Sequence, residues 1–437
     1  MRRRRFPSGP AGECRNLRPT DPSEPSPGPT AQGSAPPAVG ADRGFVLLVA
    51  GLMTMSAASI DINLPALPAT AAAFGTGLAA AQLTVSAFFL GFALGQGIVG
   101  PAADRFGRRP ILLGGIALYV LSSLACAAAP AIEALSALRL LQGFAAAVGP
   151  VLGRAVVRDR FEGPAMARVL SLAMAAFVLA PILAPSLGAL ILELGSWRWI
   201  FAALAGYGAL LLAVAAARLE ETLRRPDPSA LRPARIAAAW RRVLGEPRSR
   251  PFLAIGVLSL ATLVLYLVNA PALFMAGYGL EPRGFALVFA LVGAAAAVGS
   301  LLNARLARRL ALERTIAIGL GLGLAATLAN LVLALAGLAG APSVLPGLCL
   351  FFLSFGLVTA NATALALQPH GDAAGSAASV TGVLQTVIPG LLAGAAALLL
   401  DGVPEGLLLV MPVPVAAAAL VLLLSGRRAR PSPRPFL

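Results

Sequence analysis

Apolar runs, each about as long as a membrane helix, follow one another along almost the whole chain. A hydrocarbon core of ~30 Å takes ~20 apolar residues of helix, and that ruler predicts twelve spans. The first six cover residues 44–66, 79–100, 110–129, 132–152, 165–192 and 198–217; the second six cover 252–274, 283–303, 314–338, 343–366, 374–399 and 406–425. Between them lies RLEETLRRPDPSALRPARIAAAWRRVLGEPRSRP, polar and rich in Arg and Pro. The predicted organisation is a six-helix bundle over 44–217, a linker over 218–251 and a second six-helix bundle over 252–425. Residues 1–43 are rich in Pro, Gly, Ser and Ala, with too little apolar surface to fold, and are expected to be a disordered tail; residues 426–437 form a second tail.

Composition narrows the class. The chain is 58% hydrophobic and 12% charged, where soluble domains carry about 25% charged residues, so the fold class is an all-α membrane protein. The net charge of +15 comes from 34 basic residues, all of them arginine. They lie in short clusters between apolar runs and form no face with interleaved aromatics, which argues against a nucleic-acid partner. With both termini in the cytoplasm, 31 arginines fall inside, Arg198 and Arg283 fall outside, and Arg139 lies within a span, as the positive-inside rule favours. Three dispersed cysteines and one histidine, His370, make no metal or disulfide framework. No cofactor is expected, and no converging set of nucleophile, base and metal ligand points to an enzyme.

GPAADRFGRRP after span 2 has an echo in GSLLNARLARRL after span 8, with Gly100 matching Gly299 and Asp104 matching Asn303. An echo at the same joint of each half points to duplication of a six-span unit.

A few polar residues interrupt the apolar pattern. Asp61 stands in SIDINLPALP, where a charge at mid-membrane costs roughly 2.5–3.5 kcal/mol. If span 1 leaves the membrane near Pro68, Asp61 lies ~10 Å inside that end, the depth at which Arg139 lies in span 4. Gln142 is one turn below Arg139 on the same helix face. Three readings are open: a carboxyl that gains and loses a proton, a static pair with Arg139, or an interfacial residue above the hydrocarbon. Asp104 ends span 2 in a tight turn allowed by Gly100 and Gly107, with Arg108 one turn on and Asp159 at the same depth. These charges form either a latch or a lipid-facing surface. Pro181 and Pro185 are expected to kink span 5, which Gly188 thins. Asn63, Tyr266, Asn269, Asn361 and Gln385 either line a cavity or make interhelical hydrogen bonds worth ~0.6 kcal/mol each. His370, in the loop before span 11, is expected to be solvated, and Phe88 and Phe89 to face lipid or pack.

Several of these stretches resemble known motifs. GPAADRFGRRPILL resembles the signature loop between spans 2 and 3 of the major facilitator superfamily. SALRLLQGF resembles its R-x-x-Q-G pattern in span 4, and LAPILAPSLGA the antiporter motif of span 5. SIDINLPALP resembles the D-x-x-L-P-A-L-P of span 1 in twelve-span drug:proton antiporters. VRDRFEG, SWRWIF and PHGDAAGSAAS are similar to the bicyclomycin/chloramphenicol-resistance branch.

The resemblance covers about residues 44–425. It implies two pseudo-symmetric six-helix bundles and proton coupling through Asp61, Arg139 and Gln142. It implies a cytoplasmic latch of Gly100, Asp104, Gly107, Arg108 and Asp159, with Asp104 also facing the start of span 11 near residues 374–376. Pro181, Pro185 and Gly188 stand for antiport. The implied activity is proton-coupled efflux of small, largely apolar drug-like compounds across a bacterial inner membrane by a monomer, with substrate, protons and membrane lipid as partners. The alternative is a proton-coupled importer on the same fold. Two departures stand out: Ala184 and Ala189 replace the usual glycines, and Met53 stands where some relatives carry a second acid.

Overall fold

The computed structural model describes residues 42–223 and 225–428, so residues 1–41 of the tail predicted over 1–43 and the end of the C-terminal tail lie outside the described residues, and Arg43 opens the first helix. Every regular element among them is helical. Lipid offers no hydrogen-bond partner, so an apolar span must satisfy its own backbone, and a helix does this within one segment.

Twelve helices are long and apolar enough to cross a membrane. Spans 1 to 6 are Arg43–Phe74, Leu78–Phe106, Arg108–Ala127, Ile132–Arg160, Gly163–Leu194 and Arg198–Arg218. Spans 7 to 12 are Arg250–Gly277, Pro282–Leu306, Leu312–Leu335, Ala341–Gly371, Gly375–Leu399 and Gly406–Ser425. The number agrees with the sequence pattern, but span 1 continues eight residues past its expected end. Pro65 and Pro68 do not mark an exit. Each occupies one of the first two positions of a new helical segment, where the missing N–H needs no acceptor. Span 2 likewise runs on to Phe106, so Gly100 lies inside a helix and takes no part in the turn. Gly107 alone makes that turn, at φ +106°.

The packing is two-fold pseudo-symmetric. Span 1 packs on span 5 as span 7 does on span 11, and the pairs 2·4, 3·4 and 3·6 recur as 8·10, 9·10 and 9·12. The halves join through 2·11 and 5·8, pairs that the same operation exchanges. Spans 2 and 4 cross so closely that a Cβ on Gly91 would lie 1.8 Å from the Leu140 carbonyl oxygen, and one on Gly143 2.1 Å from that of Phe88. Spans 8 and 10 repeat the device, with a Cβ on Gly299 2.0 Å from the Leu353 oxygen. Small residues at helix crossings let backbones approach where lipid gives no hydrophobic drive.

The linker carries a helix the sequence reading missed, Pro233–Gly245. Ile236, Ala239, Trp240 and Val243 share one face, and Val243 is buried against Leu253, Val257, Ala377 and Val380. The linker defines one end of the bundle, called here the linker end. The Asp104 turn shares it, and the loop after span 1 marks the far end.

Candidate functional site

Span 1 is broken where its acid stands. Helix Arg43–Asp61 ends at Asp61, and the chain turns through a short 3₁₀ segment, Leu64–Ala66, before a second helix, Leu67–Phe74. Asp61 is 3% exposed. Thirteen residues separate it from Phe74, about 20 Å of helix at ~1.5 Å per residue. It therefore lies well inside the span and not at its end.

The break frees a carbonyl. In an unbroken helix the Ser59 carbonyl would accept from the Asn63 amide. Here Asn63 donates to the Ile60 carbonyl instead, at 3.2 Å. Arg139 fills the gap, its Nη1 donating to the Ser59 oxygen at 3.2 Å and to Gln142 Oε1 at 2.6 Å. A cation suits that helix end, where the peptide dipoles point their negative pole. Gln142 Nε2 donates to Ser123 Oγ at 2.7 Å, and the Ser59 and Tyr119 hydroxyls bond at 2.6 Å. Phe88 and Phe201 cover the guanidinium, with ring centres 4.5 and 5.6 Å away. Spans 1, 2, 3, 4 and 6 thus meet at one fully buried arginine.

Arg139 is not the partner of Asp61. No ion pair joins them, and among the described residues the Asp61 carboxyl has no hydrogen-bond partner. The arginine's Nη1 is taken by backbone and glutamine and its plane by aromatic rings, while its Nε and Nη2 are without a partner. Phe88 was expected to be lipid-facing or simple packing; it is fully buried against this arginine.

The break also touches both halves. Its 3₁₀ turn packs on spans 5, 7 and 8. Span 5 is one continuous helix through Pro181 and Pro185. It turns Ala184, Pro185, Gly188 and Ala189 inward and Leu179, Leu183, Leu187 and Leu190 outward. A Cβ on Gly188 would lie 2.0 Å from the Ile62 carbonyl oxygen and 3.1 Å from Pro65 Cγ. Gly188 is the seat on which the segment after Asp61 rests. Pro181 and Ile182 back onto Gly293 of span 8, whose Cβ would lie 3.1 Å from Ile182 Cγ1.

At the linker end the latch residues come together. Arg108, only 6% exposed, holds Asp104 Oδ1 at 2.7 Å and Asp159 Oδ2 at 3.0 Å. The linker straps over this cluster. The Thr222 hydroxyl donates to Asp159 Oδ2 at 3.2 Å, and the Asp227 amide donates to the Asp104 carbonyl at 2.9 Å. The Glu221 carboxylate caps span 3, accepting from the Arg108 and Arg109 amides at 2.9 and 3.1 Å. Burial acts to raise the Glu221 pKa, but the amides of Leu223, Arg108, Arg109 and Thr222 outweigh it and hold it below the usual carboxylate range. Asp227 is lowered to about 2 by the Ser229 hydroxyl and Arg235. Of residues 374–376, beside which Asp104 was expected to lie, the side chain of residue 374 is outside the described residues.

Of the five candidate cavity residues, two tie spans of the second half together. Asn361 Nδ2 donates to Asn303 Oδ1 at 2.7 Å, tying span 10 to span 8. Gln385 Nε2 donates to Thr363 Oγ1 at 3.3 Å, tying span 11 to span 10. Tyr266 is fully buried against Phe289 and Phe352, its hydroxyl without a partner. Asn63 is buried with a free Oδ1. Asn269 faces the other half, its Oδ1 accepting from Gln82 Nε2 at 3.4 Å. A cleft inside the second half, lined by Ser259, Gly323, Phe351, Ser354 and Val415 among others, includes none of the five. His370 is 2% exposed and not solvated, because the turn Gln368–Ala373 folds it inward.

This is a polytopic helical membrane protein of two related six-span halves, closed around a lone acid. A family model described as Major Facilitator Superfamily matches residues 48–397, and the chain belongs to that family. It is 31% identical to the MFS-type transporter YdgK of Bacillus subtilis, over 79% of this chain and 86% of that protein. It is 25% identical to the bicyclomycin resistance protein homolog of Haemophilus influenzae, over 80% and 87%. It is 29% identical to the multidrug resistance protein MdtL of Klebsiella pneumoniae, over 57% of this chain and 62% of that protein. The crystal structure of a D-xylose-proton symporter shares the fold, with TM-score 0.69 and 15% identity over 87% of this chain and 96% of the other. Members of the family are transporters and not enzymes.

Proposed function

We propose that the chain is a proton-coupled exporter of small, largely apolar compounds, and that Asp61 carries the proton. One observation carries this reading: a buried, unpaired acid stands at a helix break where the two halves touch. Arg139 satisfies the carbonyl that the break exposes, so Asp61 is left to exchange its proton. When the halves rock toward the far end, water reaches the carboxyl and protonates it. When they rock toward the linker end, the proton leaves. A polytopic acid facing an interior path is a functional group by default.

In this reading the linker end faces the cytoplasm of a bacterial inner membrane, and the Asp104–Arg108–Asp159 latch holds that end shut during release outward. Gly188 keeps span 5 tight against the break, limiting leak between the halves. The protein works as a monomer, without a bound cofactor, on the proton gradient. The relatives named for bicyclomycin and multidrug resistance support export of drug-like compounds.

The test is uptake of a drug panel into everted membrane vesicles. Export predicts accumulation when the vesicle interior is made acidic, and its loss on adding an uncoupler. Accumulation only when the vesicle interior is alkaline would mean import and overturn the reading.

A further inference from the structure

Span 7 is broken near its far end much as span 1 is, and the two are pseudo-symmetry partners. Helix Arg250–Pro271 gives way to a π turn, Ala272–Gly277. Pro271 has no N–H to donate. The Ala272 amide, the ordinary donor to the Val268 carbonyl, turns to the Asn269 carbonyl. The Val268 carbonyl thus loses its α-helical donor, as that of Ser59 does in span 1.

The side chain that takes up this carbonyl comes from the other half. Gln82 of span 2, 3% exposed, donates its Nε2 to the Val268 oxygen at 3.0 Å and lies 3.4 Å from Asn269 Oδ1. In span 1 the corresponding carbonyl is held by Arg139, from within its own half, so that break is fixed. In span 7 the acceptor is held across the interface that alternating access must open. We infer that Gln82 is a gating residue, a catch that keeps the far end closed by supplying a donor at the break in span 7. Gln82 reaches the Val268 carbonyl only when the halves meet. When the far end opens, water takes over the acceptor, so the catch releases without stranding a polar group.

A second pair spans the halves at the same end, Arg283 with Glu193. Arg283 is 74% exposed, and an exposed pair adds little beyond what salt screens away. The buried amide is the stronger fastening. Gln82→Leu keeps roughly the volume and removes the donor, so the Val268 carbonyl and Asn269 Oδ1 lose their partner across the interface in the closed state.

The inference rests on the alternating-access part of the proposed function and not on which compound is carried. It is tested by spin-label distances in lipid nanodiscs, on a background with Cys14, Cys126 and Cys349 replaced. One label pair, at Leu194 and Leu338, reports the far end, and another, at Glu162 and Arg309, reports the linker end. Losing one to two buried hydrogen bonds predicts about a fivefold or larger rise in the ratio of far-end-open to far-end-closed molecules in Gln82→Leu. The linker-end pair should keep its wild-type closed distance in the molecules that open. Arg283→Gln should leave both distributions near wild type at physiological salt. An unchanged far-end distribution in a folded Gln82→Leu protein overturns the inference. Equal broadening at both ends also overturns it, since that marks loss of packing. Transport of the drug panel is scored separately, so a shift in distances without export would sink the assigned activity and leave the catch standing.

Discussion

Gly188→Ala is a one-carbon change that asks whether span 5 positions the proton site. The added Cβ would lie 2.0 Å from the Ile62 carbonyl oxygen, where real Cβ contacts are essentially never under 3.0 Å. Span 5 and the break must therefore part by about 1 Å. The neighbours are backbone and a proline ring, so no flexible side chain can give way. Overpacking of this kind costs ~1–3 kcal/mol, against up to ~1 kcal/mol that alanine gains over glycine in helix propensity. The clash wins, and a 1 Å displacement of a positioned group lowers rates by up to ~10²-fold. Gly206→Ala is the control. It sits in span 6 with nothing within 4 Å of its Cβ, so alanine there should be neutral or slightly stabilising. The assay is pH-driven drug uptake in everted vesicles, normalised to membrane-inserted protein, with melting temperature measured in detergent. Gly188→Ala is expected to insert, to melt lower than Gly206→Ala, and to lose at least tenfold in uphill uptake. Wild-type uptake by Gly188→Ala would refute the idea that the span 5 glycine seats the acid.

Arg139→Lys is expected to be damaging despite keeping the charge. The guanidinium lies flat over Phe88 while its Nη1 bonds both Ser59 and Gln142; a lysine ammonium is a compact, strongly hydrated point charge without that plane, and the loss should be ~1–3 kcal/mol, read as a lower melting temperature. The strap over the latch has its own pH dependence. Glu221 and Asp227 both have depressed pKa values, so their bonds contribute in full above the ordinary carboxylate range and fade as pH falls, for Asp227 between 3.8 and about 2. Hydrogen exchange of the 220–230 amides, corrected for intrinsic rate, should show equal protection at pH 7 and pH 5 and a loss beginning only below about pH 4. Loss of protection already at pH 5 would contradict the bonding of Glu221 and Asp227.

How much of this was legible in the sequence depends on whether a feature is local. The twelve spans were, because apolar length alone decides what can cross lipid. The Asp104–Arg108–Asp159 cluster was, because a charged loop motif carries its partners close by in sequence or depth. The break in span 1 was misread. Pro65 and Pro68 were visible, but the same residues end one helix and open the next, and the letters do not say which. The partner of Arg139 was left open for a deeper reason. Depth put an acid and a base side by side, while the acceptor that binds the arginine is a carbonyl, which every residue carries and no letter marks. Gly188 was named, but its contact was hidden likewise, and Gln82 was not named at all, since each meets backbone of a distant span. His370 is buried because a turn folded inward, which loop composition does not report.

The central claim is that Asp61 couples proton movement to substrate movement, and Asp61→Asn in everted vesicles tests it most directly. The variant keeps the volume and removes the exchangeable proton. It should still exchange labelled for unlabelled drug across the membrane, because the halves can still rock, and it should fail to accumulate drug against a gradient when only a pH difference is imposed. If it accumulates drug at the wild-type rate, Asp61 does not carry the driving proton.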